Sequence, residues 1–118
     1  RYAETLLNAA ELIAVHGCTG KGTADAYLNE VRARAGLGNA SADLDAILHE
    51  RHVELMGEGK RYWDLVRLGQ ASTVLTPAND EGGFRTKAWT ENKKYLPFPQ
   101  SEMDATASTQ YPLTQNNY

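Results

Sequence analysis

The stretch HERHVELMGEGKRYWDLVRLG, residues 49–69, carries two histidines, four carboxylates and four basic side chains in a helical register broken by Gly57 and Gly59. Whether this run is a chemical site or a piece of scaffolding decides how the rest of the chain is read. A metal site is tested first. His49 and His52 lie three apart and can reach one side of a helix. The zinc-hydrolase pattern H-E-x-x-H needs a spacing of four, and here the second histidine comes one residue early. A third ligand would have to be Glu54, Glu58 or His16, and no pattern points to one. No metal site is expected.

Acid–base chemistry fares no better. Glu50, Glu54, Glu58 and Asp64 could supply the carboxylate pair of a sugar hydrolase. Arg51, Lys60, Arg61 and Arg67 share their neighbourhood and would hold them ionised, where a general acid needs a raised pKa. No catalytic residue is expected. At about 100° per residue, Arg51 falls inside the stripe of Leu44, Leu48 and Leu55, and Glu58 falls close to it. A charge aimed at a core is tolerated only when paired and hydrogen-bonded. Arg51 presents a fork of donors, with Glu54 one turn away, Glu58 two turns away and Asp64 across the glycine bend. The expectation is a structural ionic clasp of Arg51 with Glu54, Glu58 and Asp64.

Working outward, residues 2–16 place Ala3, Leu6, Leu7, Ala10, Ile13 and Ala14 on one helical stripe. The run HGCTGKG breaks it. Thr23 is placed to cap a second helix, with Ala24, Tyr27, Leu28, Val31 and Ala35 inward and Gly36 as its stop. The two helices form an αα-hairpin. Ser41 or Asp43 should cap a third helix, and a fourth runs from about Lys60 to Leu68 and stops at Gly69. The chain is therefore read as mainly α. Residues 1–70 form a tetratricopeptide-like (TPR-like) scaffold of two αα-hairpins, although two copies are fewer than repeat arrays usually hold. Residues 71–118 form an irregular segment, rich in Thr, Asn, Gly and charge, with Ser101 able to cap a short helical turn near Glu102 and Met103.

The bulk numbers exclude several classes. A net charge of −3 recommends neither nucleic acid nor an anionic membrane surface. No apolar run approaches the roughly 20 residues of a membrane span. The single cysteine, Cys18, rules out an internal disulfide. LLNAAELIAVHGC ends like a lipoprotein cleavage site, but Asn8 and Glu11 interrupt it and helical periodicity explains it better. The chain opens on Arg1 and reads as a piece of something longer.

The charged run also resembles the signature of the SusD/RagB family, E-R-x-x-E-L-x-x-E-G-x-R-x-x-D-L-x-R-x-G. It is met by Glu50, Arg51, Glu54, Leu55, Glu58, Gly59, Arg61, Asp64, Leu65, Arg67 and Gly69. RYAETLLNAAEL and LNEVRARAGL upstream, and YLPFPQSEMDAT and LTQNNY downstream, resemble further family blocks in the right order. Two positions depart from the pattern. His52 stands where a second Arg is common, and the tail reads Gln-Asn-Asn-Tyr where Gln-Asn-Pro-Gly-Tyr is usual.

The resemblance implies a TPR-like helical scaffold, with an irregular lobe, in a glycan-binding lipoprotein of the outer membrane of Bacteroidota. Such a protein is no enzyme and needs no cofactor. It would lid a SusC-type TonB-dependent transporter and hand it oligosaccharide, held to the membrane by an N-terminal lipid that is absent from this chain. The family's sugar-gripping residues are expected mainly outside these residues. Within them Trp89, beside Thr90, Glu91 and Asn92, is the candidate for stacking on a sugar ring, against the competing reading of a loop Trp that packs on a lobe outside these residues. Tyr62 and Trp63 are read as helix-packing residues. The alternative function is a generic helical-repeat adaptor for a protein or peptide, which would have no need of the LPFP and QNNY blocks.

Overall fold

The computed structural model describes residues 1–117 and shows six α-helices and two short 3-10 turns among them. They are α1 (Tyr2–His16), α2 (Ala24–Arg34), α3 (Leu44–Glu54), α4 (Arg61–Arg67), α5 (Ala71–Val74) and α6 (Gln100–Thr106). The chain divides into two compact units, residues 1–64 and 65–118, with the division inside α4 where the sequence suggests a change after residue 70. Tyr118, the last residue of the LTQNNY block, lies outside the described residues.

In the first unit, α1 packs on α2 and on α3 as TPR-like helical hairpins do. Its core joins Leu6, Leu7 and Ala10 of α1 to Leu28 and Val31 of α2, and to Ala42 and Ile47 at the start of α3. Leu7, Leu28 and Ile47 are fully buried, and each such side chain stabilises the fold by roughly 1.5–3 kcal/mol. Ala14 and Ala35, expected inward, are exposed; they fall in the last turn of α1 and at the C-cap of α2.

Local chemistry sets the helix ends. The Thr23 hydroxyl accepts from Ala26 N–H at 3.1 Å, and the Asp43 carboxylate accepts from Ala46 N–H at 2.8 Å. Of the two caps considered for α3, Asp43 is the one used. Gly22 lies under the Tyr27 ring, where an added Cβ would sit 3.0 Å from Cζ, so a larger residue would make that ring shift by a few tenths of an ångström. The loop between α2 and α3 is tied back by amide chemistry. Asn29 donates to Ala40 O at 2.9 Å and accepts from Ala40 N–H at 2.8 Å, while Asp25 accepts from Ala42 N–H at 2.7 Å.

The second unit is organised differently. Leu65, Ala71 and Trp89 are its buried apolar residues. Short elements, α5, a 3-10 turn at Pro77–Asn79 and another at Glu91–Lys94, replace the expected structureless run. Side chains acting on backbone hold the turns: Asn79 donates to Thr73 O at 2.9 Å, and the Asp80 carboxylate accepts from Arg85 N–H. The helix expected near Glu102 is present as α6, but Ser101 does not cap it. The helix starts at Gln100, with Pro99 as its N-cap position two residues before Ser101 and no side-chain cap. Proline presets the backbone before a helix, and the i,i+4 bond from Gln100 to Asp104 at 2.8 Å secures the first turn.

The LPFP and QNN blocks are bound to each other. Gln115 accepts from Phe98 N–H at 3.0 Å and donates to Phe98 O at 3.1 Å, so one amide occupies both polar groups of that residue. Asn116 donates to Leu96 O at 2.9 Å. Two stretches without periodicity are thus laced together as a strand would be by its neighbour.

Candidate functional site

Arg51 stands in the last turn of α3 and is 6% exposed; Asp64, on α4, is 4% exposed. Gly57 and Gly59 adopt φ of 81° and 72° between them, a left-handed reversal that a side chain would strain. The reversal brings Asp64 onto the guanidinium. Nε donates to Oδ2 at 2.9 Å and Nη2 donates to Oδ1 at 3.1 Å, a two-point fork, and Nη1 donates to Asn8 Oδ1 on α1. Three helices therefore meet on one buried cation.

Glu54 and Glu58 are not in this clasp, and that part of the sequence reading is corrected. Glu54 accepts from Arg34 Nη2 at 2.7 and 2.8 Å and pairs with Arg1 at 3.2 Å. Glu58 pairs with Arg1 Nε at 2.6 Å. The reason is geometric. The short Asp64 side chain takes the paired face of the guanidinium and Asn8 takes the next donor. Glu54, at the end of α3, turns instead to the arginine of the neighbouring helix.

A second buried pair was missed. Glu50 is 3% exposed and meets Arg32 Nη1 at 2.8 Å, while Arg32 Nε also donates to Gly38 O at 2.8 Å. The signal was available, since Glu50 lies three residues after the core residue Ile47 and shares its face. Its partner lies on another helix, and no spacing rule names it. Glu11 is likewise buried, and it is engaged. On the rim, Lys60 meets Glu4 at 3.0 Å, and that hydrogen bond holds the Glu4 carboxyl below its ordinary range.

The other candidates are dispersed. His49 and His52 are exposed, and no three His, Cys, Asp or Glu gather as a metal-binding group among the described residues. His52 is held below the ordinary histidine range by desolvation, then by Arg61 and His49. Trp89, the sugar-stacking candidate, is 8% exposed, with its backbone N–H donating to Leu75 O at 3.0 Å. It is buried by residues of this chain itself, which leaves its ring little surface for a sugar and does not need the rest of the protein to cover it. Trp63, read as a packing residue, is 48% exposed and meets Tyr62 edge-on at 5.1 Å. Its neighbour Asp64 takes the inward direction for the clasp.

What the fold and site define is a helical protein in which four signature charges, Glu50, Arg51, Glu54 and Asp64, pair from one helix to another. The chain belongs to the SusD family, whose model it matches over residues 1–118. It is 55% identical to surface glycan-binding protein A from Bacteroides thetaiotaomicron, with a TM-score of 0.86 over 100% of this chain and 24% of that one. Against the same protein in complex with laminarihexaose the TM-score is 0.84. The protein A from Bacteroides fluxus gives 41% identity and a TM-score of 0.87, covering 98% of this chain and 26% of its own. A SusD-like protein P2 from Formosa agariphila is 34% identical over 117 residues, covering 87% of this chain and 22% of the relative. The chain thus spans about a quarter of the length of these relatives.

Proposed function

We propose that these residues are the clasped helical scaffold of a surface protein that captures oligosaccharide without cleaving it, and that its glycan is of the laminarin type. The observation that carries this reading is the 55% identity, over the whole chain, to a protein whose structure holds laminarihexaose. A laminarin-binding SusD-like protein, 35% identical with a TM-score of 0.68, points the same way. The site chemistry agrees with binding over hydrolysis. Glu50, Glu54 and Asp64 are each taken up in an ion pair with an arginine, between helices, and none stands free beside a sugar bond. The whole protein would sit on the outer membrane through a lipid outside this chain and pass its sugar to a SusC-type TonB-dependent transporter. No helix among the described residues is long and apolar enough to cross a membrane.

The test is calorimetry of the full-length protein against laminarihexaose, a β-1,4-linked glucan of equal length and an α-1,4-linked one. Laminarihexaose should bind and stay intact, with the other two weaker by at least roughly tenfold, a difference of about 1.4 kcal/mol. Residues 1–118 alone should not bind usefully, because a sugar site needs several groups fixed together beforehand. Equal binding by the fragment would move the main site into these residues. Cleaved product would overturn the non-enzymatic reading.

A further inference from the structure

Three cavities differ in what they could hold. One of about 400 Å³ lies against α1 and α2, where Arg1 and Arg34 are both paired with Glu54 and Glu30 is the other charged group of the lining. One of about 310 Å³ lies at the glycine bend, where Arg51 and Lys60 are engaged by Asp64 and Glu4. The third, of about 410 Å³, lies in the second unit and is lined by Glu91, Asn92, Lys94, Tyr95, Asn116 and Asn117. It is within the size range of small-molecule sites, about 300–1,000 Å³, and its lining has a different character.

Its residues converge from two places in the chain. The 3-10 turn Glu91–Lys94 ends at Tyr95, whose extended backbone (φ −106°, ψ 135°) leads out of the turn, and Tyr95 is 63% exposed. Asn116 is fixed on the other side because its Nδ2 donates to Leu96 O. With the nitrogen committed, the orientation of that amide is set, and its buried Oδ1 has no hydrogen-bond partner among the described residues. Asn92, Asn117, Glu91 and Lys94 are exposed around it.

An exposed phenol ring beside three amides, one carboxylate and one ammonium fits few ligands well. A phosphate or carboxylate would meet Glu91. An apolar ligand would strand the amides. A pyranose suits all of them: its C–H face stacks on an aromatic ring, and amides and carboxylates bind adjacent hydroxyls. We propose that this cavity is a secondary subsite for one neutral hexose unit of the bound oligosaccharide, with Tyr95 as its platform. The inference rests on the glycan-capture reading above and adds a contact from the C-terminal segment.

The experiment uses the full-length protein with laminaritriose and laminarihexaose. A subsite beyond the main site is reached only by the longer chain. Tyr95→Ala should weaken laminarihexaose by roughly five- to tenfold and leave laminaritriose unchanged, the scale of one lost aromatic contact. Tyr95→Phe keeps the ring and should bind as wild type. Asn92→Ala, a second exposed change that spares the ring, should weaken the hexamer in the same selective way. Unchanged hexamer binding in both alanine variants overturns the subsite while leaving glycan capture intact. Equal losses for trimer and hexamer also overturn it, by showing a general structural effect. A wild-type protein that binds neither sugar overturns the capture reading and the subsite together.

Discussion

The two units of this chain are stabilised by different means. Residues 1–64 bury Leu7, Leu28 and Ile47 completely in a shared core and close it with arginine–carboxylate pairs. Residues 65–118 bury little apolar surface and rely on amides and carboxylates acting on backbone, Gln115 on Phe98, Asn116 on Leu96 and Asp80 on Arg85. They also leave Phe84, Tyr95, Phe98 and Tyr111 exposed, at 91%, 63%, 43% and 81%. Core burial announces itself in sequence because it needs periodicity. Amide lacing needs only one asparagine or glutamine at the right point in space, and it leaves almost no pattern.

The contrast can be broken most directly at Arg51. Arg51→Ala strands the buried Asp64 carboxylate and should cost about 3–5 kcal/mol in urea unfolding followed by circular dichroism. Arg51→Lys should recover little of this, since a lysine cannot reproduce the two-point fork. A variant that unfolds like wild type would remove the clasp from the account of the first unit.

Next is the matched truncation of two leucines. Leu28→Ala, in the first core, should cost about 2–5 kcal/mol. Leu113→Ala, at a position 39% exposed in the second unit, should stay within about 0.5 kcal/mol. Equal losses would mean that the second unit has a core of its own.

Gln115→Ala sharpens the other side. It removes both hydrogen bonds to Phe98, worth about 0.5–1.5 kcal/mol each when formed. The effect should be local: faster amide exchange across residues 95–117, with α1 to α3 unchanged. Spread of that change into α1 would show that the lacing supports the first unit as well.

The smallest effect is on pH dependence. His52 has a folded pKa below its ordinary value, so the unfolded chain takes up the proton first as pH falls. Stability should therefore decline as pH drops through the ordinary histidine range of about 6.5, and level off once the folded chain is protonated too. Glu4, also lowered, contributes stability above the ordinary carboxylate range and loses it as pH falls through its lowered value. His52→Gln should flatten the first decline and leave the acid limb. An unchanged near-neutral slope in this variant would place its origin elsewhere.

Much of the first unit was legible from residues close together in the chain. The Leu6–Leu7–Ala10 stripe, the Thr23 cap, the Asp43 alternative and the glycines at 36, 57 and 59 each act within a turn or two, so their spacing is their mechanism. The family signature was legible for the same reason, as a helix, a left-handed reversal and a second helix written in one run. What tertiary structure alone decided was which charge meets which. Arg51 chose Asp64 and Asn8 over the nearer Glu54, Glu50 found Arg32 on another helix, and Glu54 went to Arg34. A helical wheel gives the direction in which a side chain leaves its own helix. It does not give the helix that arrives there, and an ion pair is stable only where both partners are oriented and sheltered from water together. The same holds for Trp89 and Gln115, whose roles depend on backbone far away in sequence. Helix positions and ends were set locally by the sequence; the pairings, and the cavity beside Tyr95, exist only once distant segments have met.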